Sequence, residues 1–156
     1  MDYGQTSGNK IQIICHSMGC AVANFISQVT EEKIGRITGL DPAQPSFESG
    51  DPSEQLDASF VDIIHKNAGY LYEMKLGMFN DCGYVDFRPN GGRSQPGSQN
   101  ELYGTCSNSR AIEYYLESVK DPDAFESFES HSYEEFERGV FNKQKPTKMG
   151  FWASNT

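Results

Sequence analysis

The pentapeptide Cys15-His16-Ser17-Met18-Gly19 is the part of the chain best suited to covalent chemistry. It follows a short Ile-rich run at 10–15 (KIQIIC). A segment with Val22, Phe25, Ile26 and Val29 at i, i+3, i+4 and i+7 comes after it. A serine on a sharp strand-to-helix turn lifts its hydroxyl clear of the sheet edge, where it can attack an acyl carbon. The amide of the next residue, Met18, is then placed to stabilise the oxyanion. Strand and helix approach closely at such a turn, so the residues two before and two after the serine have to be small. Gly19 meets that demand fully and Cys15 in part. A bare S-x-G is common in ordinary turns; the strand before and the helix after make this one a candidate.

Asp41 ends the next apolar run, 36–40 (RITGL), and Pro42 follows it. The carboxyl edge of a parallel sheet is where α/β proteins place their chemistry, and an acid there can orient a histidine and stabilise its imidazolium. Asp-Pro also suits an ordinary turn or cap, so both readings stand at this point. The base would have to come from His16, His65 or His131. His16 adjoins Ser17, and neighbouring side chains diverge at such a turn. His131 lies in an acidic, aromatic stretch that reads as a surface loop.

The elements that would carry these residues read as a βαβ unit. It consists of a strand at 10–15, expected to be buried on both faces, then an amphipathic helix, then a strand at 36–40. A loop rich in acid and proline runs from 42 to 57. Strands are expected at 60–65 and 84–87, the second closed by the turn Pro89-Asn90-Gly91-Gly92. Ile112, Tyr115, Leu116 and Val119 give a second helix at the same spacing. Beyond Asp121 the pattern weakens into acidic segments punctuated by Phe125, Phe128 and Phe136. Strands alternating with helices imply an α/β fold with a mostly parallel sheet and flanking helices.

With 156 residues the chain can bury a core of its own. Its net charge of -9 argues against nucleic acid or an anionic membrane surface as partner, but not against neutral or zwitterionic lipid. There is no apolar run long enough to span a bilayer, and the first ten residues do not form a signal peptide. None of Cys15, Cys20, Cys82 and Cys106 forms a C-x-x-C pair, so a structural zinc site is not expected. Cys15 and Cys20 read as small buried residues rather than a disulfide. Cys82 and Cys106 are left as a pair that spacing alone does not decide.

Five stretches then carry a resemblance: CHSMG, RITGLDPAQPSF, FVDIIHKN, GYVDFRPNGGRSQPGS and CSNSRAIEYYLESV. In this order and spacing the chain resembles the animal pancreatic-lipase-like family, which includes triacylglycerol lipases and phospholipases of the A type. The resemblance covers nearly the whole chain. It implies a partial α/β-hydrolase domain over 1–156, corresponding to the C-terminal half of the catalytic domain, with the upstream strands and oxyanion loop not included. It implies Ser17 as nucleophile, Asp41 as triad acid, lipid esters as substrates, no cofactor and an extracellular location.

The same resemblance exposes departures. Where the family has its catalytic histidine, in a Cys-Ser-His motif, this chain has Cys106-Ser107-Asn108. Asn108 is therefore expected to project from the loop before a helix starting near Ala111. An amide does not take up the serine proton near neutral pH, so impaired turnover is expected. His65 falls where the family already has a second, non-catalytic histidine and reads as a satisfied polar residue. Ser98 replaces a lid cysteine, leaving Cys106 without its usual partner, and the lid segment 99–105 is short. Family cysteines near Ser130 and Val140 are missing. The acidic loop with Glu48, Asp51, Glu54 and Asp57 overlaps the region where some relatives bind a structural calcium, although a solvated loop accounts for it. Three readings follow: a lipid carboxylic-ester hydrolase, a non-catalytic lipid-binding relative, or a non-functional fragment.

Overall fold

The computed structural model describes residues 6–43, 56–66, 80–92, 105–143 and 145–154, with the backbone alone described over 105–109. Four parallel strands form one sheet in the order β1 (Gln12–His16), β2 (Ile34–Leu40), β3 (Ala58–Ile64), β4 (Val85–Phe87). Helix α1 (Gly19–Val29) links β1 to β2, and α2 (Thr105–Lys120) follows β4 in the chain. A short antiparallel pair, β5 (Glu126–Ser127) with β6 (Thr147–Lys148), and the five-residue α3 (Tyr133–Glu137) complete the described elements. The expected α/β architecture is present, with each strand within a few residues of its place.

β2 and β3 form the centre of the sheet because their sequences are apolar on both faces. Ile37, Val61, Ile63 and Ile64 are each almost fully buried. Two apolar clusters lie on either side. One joins Cys15, Cys20, Ala23, Ile37 and Ile63 beneath α1; the other joins Leu40, Ile64, Phe87, Ala111 and Tyr115 beneath α2. Gly39 allows the close packing at the end of β2, since a Cβ there would come within 2.6 Å of the Ile63 side chain. β1 is the edge strand of the described sheet, and Ile14 is half exposed. It is not buried on both faces as expected: Gln12 and Ile14, which point to one face, are exposed, while Ile13 and Cys15 on the other are part-buried and buried.

Both helices turn most of their apolar stripe away from the sheet, Tyr115 being the member of the α2 stripe that faces inward. In α1, Cys20, Ala23, Asn24 and Ser27 are buried, while Val22 and Phe25 are 61% and 64% exposed. In α2, Ala111, Tyr115 and Ser118 face inward, and Ile112, Leu116 and Val119 are exposed. Small residues let a helix lie close against the strand it follows, and that close fit sets the inward face of α1. Helix α2 also begins earlier than expected. Its backbone is helical from Thr105, so Asn108 lies in the first turn rather than in a preceding loop. Short polar residues suit a first turn, where backbone amides lack intrahelical acceptors.

The sheet is tied to the C-terminal segment by one polar network. Arg36 Nε and Nη2 donate to Asp62 Oδ1 and Oδ2 at 2.8 and 3.0 Å. The same guanidinium donates to the carbonyls of Gly150 and Phe151 at 2.7 and 2.8 Å. Thr38 Oγ1 donates to Asp62 Oδ1 at 2.9 Å. Burial pushes the Asp62 carboxyl up from its ordinary value, and Arg36 and Thr38 oppose that shift. The acidic C-terminal stretch is held by aromatic contacts, Phe128 and Phe136 each standing 5.0 Å from Phe141. Ser130 Oγ lies 3.0 Å from the Val140 carbonyl oxygen and 3.0 Å from that of Ser132.

Candidate active site

Ser17, Asp41 and His65 stand in a row at the carboxyl ends of β1, β2 and β3. Each amide carries the sheet ladder one step beyond its strand: Ser17 N–H to the Leu40 carbonyl at 3.0 Å, Asp41 N–H to Ile64 at 2.9 Å, His65 N–H to Phe87 at 2.8 Å. The parallel register produces this row, since it pairs His16 with Leu40, Leu40 with Ile64 and Ile64 with Phe87, so that the strands end at the same edge.

Ser17 and Asp41 share a backbone feature. Their φ angles are +52° and +49°, in the left-handed region that residues with a side chain seldom adopt. At Ser17 this conformation reverses the chain from β1 into α1, with the Ser17 carbonyl accepting from the Cys20 amide at 3.1 Å. Met18 caps the start of α1 with its side chain exposed. Contrary to expectation, Cys15 and Cys20 form a disulfide across this turn, their Cα atoms 4.9 Å apart. The physical reason is the reversal itself, which brings the last strand residues over the first helical turn and within bridging range.

Asp41 is fully buried, and its Oδ1 accepts from the Lys66 amide at 2.9 Å. Sequence reasoning passed over Lys66, although it follows His65 directly. Its side chain is fully buried with Nζ 2.8 Å from the centre of the Tyr114 ring. Burial pushes the amine down to about 7, against the pull of the Asp41 carboxylate. A cation moved out of water loses hydration that a ring face replaces only in part.

His65 pairs with Asp86, Nε2 to Oδ1 at 2.6 Å, and is fully buried, so it is a satisfied polar residue. His16 Nε2 is buried with no hydrogen-bond partner among the described residues. His131 is exposed. Asn108 is placed by its backbone alone, in the first turn of α2. Cys82 carries a free thiol, which burial pushes up to about 12. Of the acidic loop, Asp57 is described and pairs with Lys33 at 3.0 Å; Glu48, Asp51 and Glu54 lie outside the described residues, as do Ser98 and most of the lid segment. Among the described residues no helix is long and apolar enough to cross a membrane.

A parallel sheet with flanking helices and a serine in a strained strand-to-helix turn defines the class, an α/β-hydrolase domain seen in part. The Lipase family model matches residues 2–156, and the chain belongs to that family. It is 37% identical to pancreatic lipase-related protein 2 of Bos taurus, over 83% of this chain and 32% of that protein. It is 35% identical to pancreatic lipase-related protein 3 of Homo sapiens, over 94% of this chain and 36% of the relative. Pancreatic triacylglycerol lipase of Equus caballus is also 35% identical, over 83% and 32%. The chain thus spans about a third of the length of these curated relatives.

Proposed function

We propose that this chain supplies the nucleophile and acid of a lipid carboxylic-ester hydrolase, with Ser17 attacking the ester and Asp41 as the triad acid. The observation that carries this reading is the pair of left-handed residues at the ends of neighbouring strands. Strain of this kind, at about 1–3 kcal/mol each, persists where the surroundings over-determine it, and it clusters at catalytic turns. Ser17 Oγ would form the acyl ester, its proton passing to a base as the bond closes. The Met18 amide would stabilise the oxyanion. Asp41, held by the Lys66 amide, would orient that base. Neutral or zwitterionic lipid esters are the proposed substrates, and an extracellular location follows from the relatives.

Asn108 is proposed to stand at the position of the base, which makes this copy slow. Loss of one triad member removes roughly four orders of magnitude in rate. The test uses a chimera carrying the upstream portion of an active relative. With Asn108 it should be nearly inert toward short-chain esters; Asn108→His should raise the rate by about three orders of magnitude, and adding Ser17→Ala should abolish the gain. Equal rates for folded parent and Asn108→His chimeras would refute the assignment. A second reading, a lipid-binding relative without turnover, is favoured by Asn108 itself; saturable lipid binding in a chimera that Asn108→His does not activate would select it.

A further inference from the structure

Two strands away from Ser17, the carboxyl end of β3 and the entry to β4 gather three side chains that the proposed hydrolytic centre does not use. The donor atoms of His65, Cys82 and Asp86 all lie within 4.8 Å of one another. Imidazole nitrogen, cysteine sulfur and carboxylate oxygen together make a borderline donor set, the kind that suits zinc better than calcium or magnesium. We propose that His65, Cys82 and Asp86 bind a zinc ion, with a water in the fourth position.

The spacing is close to what the metal requires. Ligand atoms about 2.0–2.3 Å from a tetrahedral zinc stand roughly 3.3–3.8 Å from each other. The widest gap has to close by about an ångström, while the His65–Asp86 contact, now 2.6 Å, opens slightly. The carboxylate is already oriented from behind, Oδ1 by the Cys82 amide at 3.2 Å and Oδ2 by the Gly83 amide at 3.1 Å. Outer contacts of this kind hold a ligand in place and sharpen a site. The frame is rigid, because the Tyr84 amide donates to Val61 and the His65 amide to Phe87, both at 2.8 Å. Gly83 lets β4 enter this closely: a Cβ there would stand 3.0 Å from the carbonyls of Val61 and Val85.

The charges balance as well. Zinc displaces the thiol proton of Cys82, which leaves to solvent; the proton on His65 Nε2 is exchanged for one on Nδ1, so that a neutral imidazole ligates, and the thiolate with the Asp86 carboxylate neutralises the divalent ion. Cys82 is half-buried, so a water has access to the open position. The ligands come from two strand ends with unequal spacing, which explains why no C-x-x-C signature announces them. The site would also anchor His65, whose neighbour Lys66 gives its amide to Asp41.

Cadmium is the probe, since its thiolate bond absorbs in the ultraviolet. Titrated into the non-reduced protein, it should raise a band that saturates at one equivalent and is displaced by zinc. Cys82→Ser should abolish the band and Cys106→Ser should leave it. Asp86→Asn should weaken binding at least tenfold. Absence of the band in the wild type, its survival in Cys82→Ser, its loss in Cys106→Ser, or unchanged affinity in a folded Asp86→Asn protein would overturn the proposal. Should Asp86→Asn fail to fold, X-ray absorption at the zinc edge of the wild-type protein decides. One sulfur with nitrogen and oxygen ligands supports the site; no sulfur, or two, rejects it.

Discussion

At the scale of single residues, several constraints meet in the turn around Ser17. A left-handed serine, a glycine two places on and a disulfide bridging Cys15 to Cys20 all act on one reversal. Closing a loop over a sequence separation of 5 removes freedom from the unfolded chain worth about 2 kcal/mol. Peptide mapping without reductant should therefore recover Cys15 and Cys20 in one linked fragment. Paired Cys15→Ala and Cys20→Ala changes should lower stability by about 2 kcal/mol in denaturant unfolding. Finding both cysteines free in the folded, unreduced protein would contradict the bridge. Under the proposed function Asn108 belongs to this scale too, since an amide at the position of the base would leave the Ser17 proton without an acceptor.

At the scale of elements, α1 meets the sheet through its small residues, whereas α2 meets it through Ala111, Tyr115 and Ser118. That arrangement separates two substitutions on α1. Phe25→Ser, on the exposed stripe, should change stability by no more than about 0.5 kcal/mol. Ala23→Leu, on the buried face, should cost about 1–3 kcal/mol by overpacking. A large loss from Phe25→Ser would mean that the stripe is covered in solution. The entry to β1 offers a pH test. Glu32 accepts from the Gly8 amide at 2.6 Å and from Ser7 Oγ at 2.9 Å, and these bonds hold its carboxyl below the ordinary 4.5. A depressed folded value means that the contribution is present above the unfolded value and lost as pH falls through the folded one. Unfolding midpoints measured from pH 6 down to pH 3 should fall less steeply in Glu32→Gln than in the wild type.

At the scale of the whole molecule, Arg36 links β2, β3 and the C-terminal segment at a single point. Removing it leaves Asp62 buried and without its countercharge, together with two carbonyls that lose a donor. Breaking one side of a buried pair costs about 3–5 kcal/mol, so Arg36→Ala should lower the unfolding free energy by that much. A loss below about 1 kcal/mol, the range of exposed ion pairs, would show that the network is solvated.

The sequence alone determined the order of β1 to β4 with α1 and α2, the parallel sheet, the family, and the candidacy of Ser17 and Asp41. Those follow from local signals: Ile-rich runs, helical spacing, and short motifs whose residues are neighbours in the chain. Tertiary structure decided which helix face is buried, because close approach to the sheet selects Cys20, Ala23 and Ser27 over the larger Val22 and Phe25. It also decided the fate of Cys15 and Cys20, which depends on how tightly the chain reverses at Ser17. The surroundings of Lys66 and the meeting of His65, Cys82 and Asp86 could not be read in advance. Lys66 meets Tyr114 only through the packing of α2 on the sheet, and His65 meets Asp86 only through the register of β3 with β4.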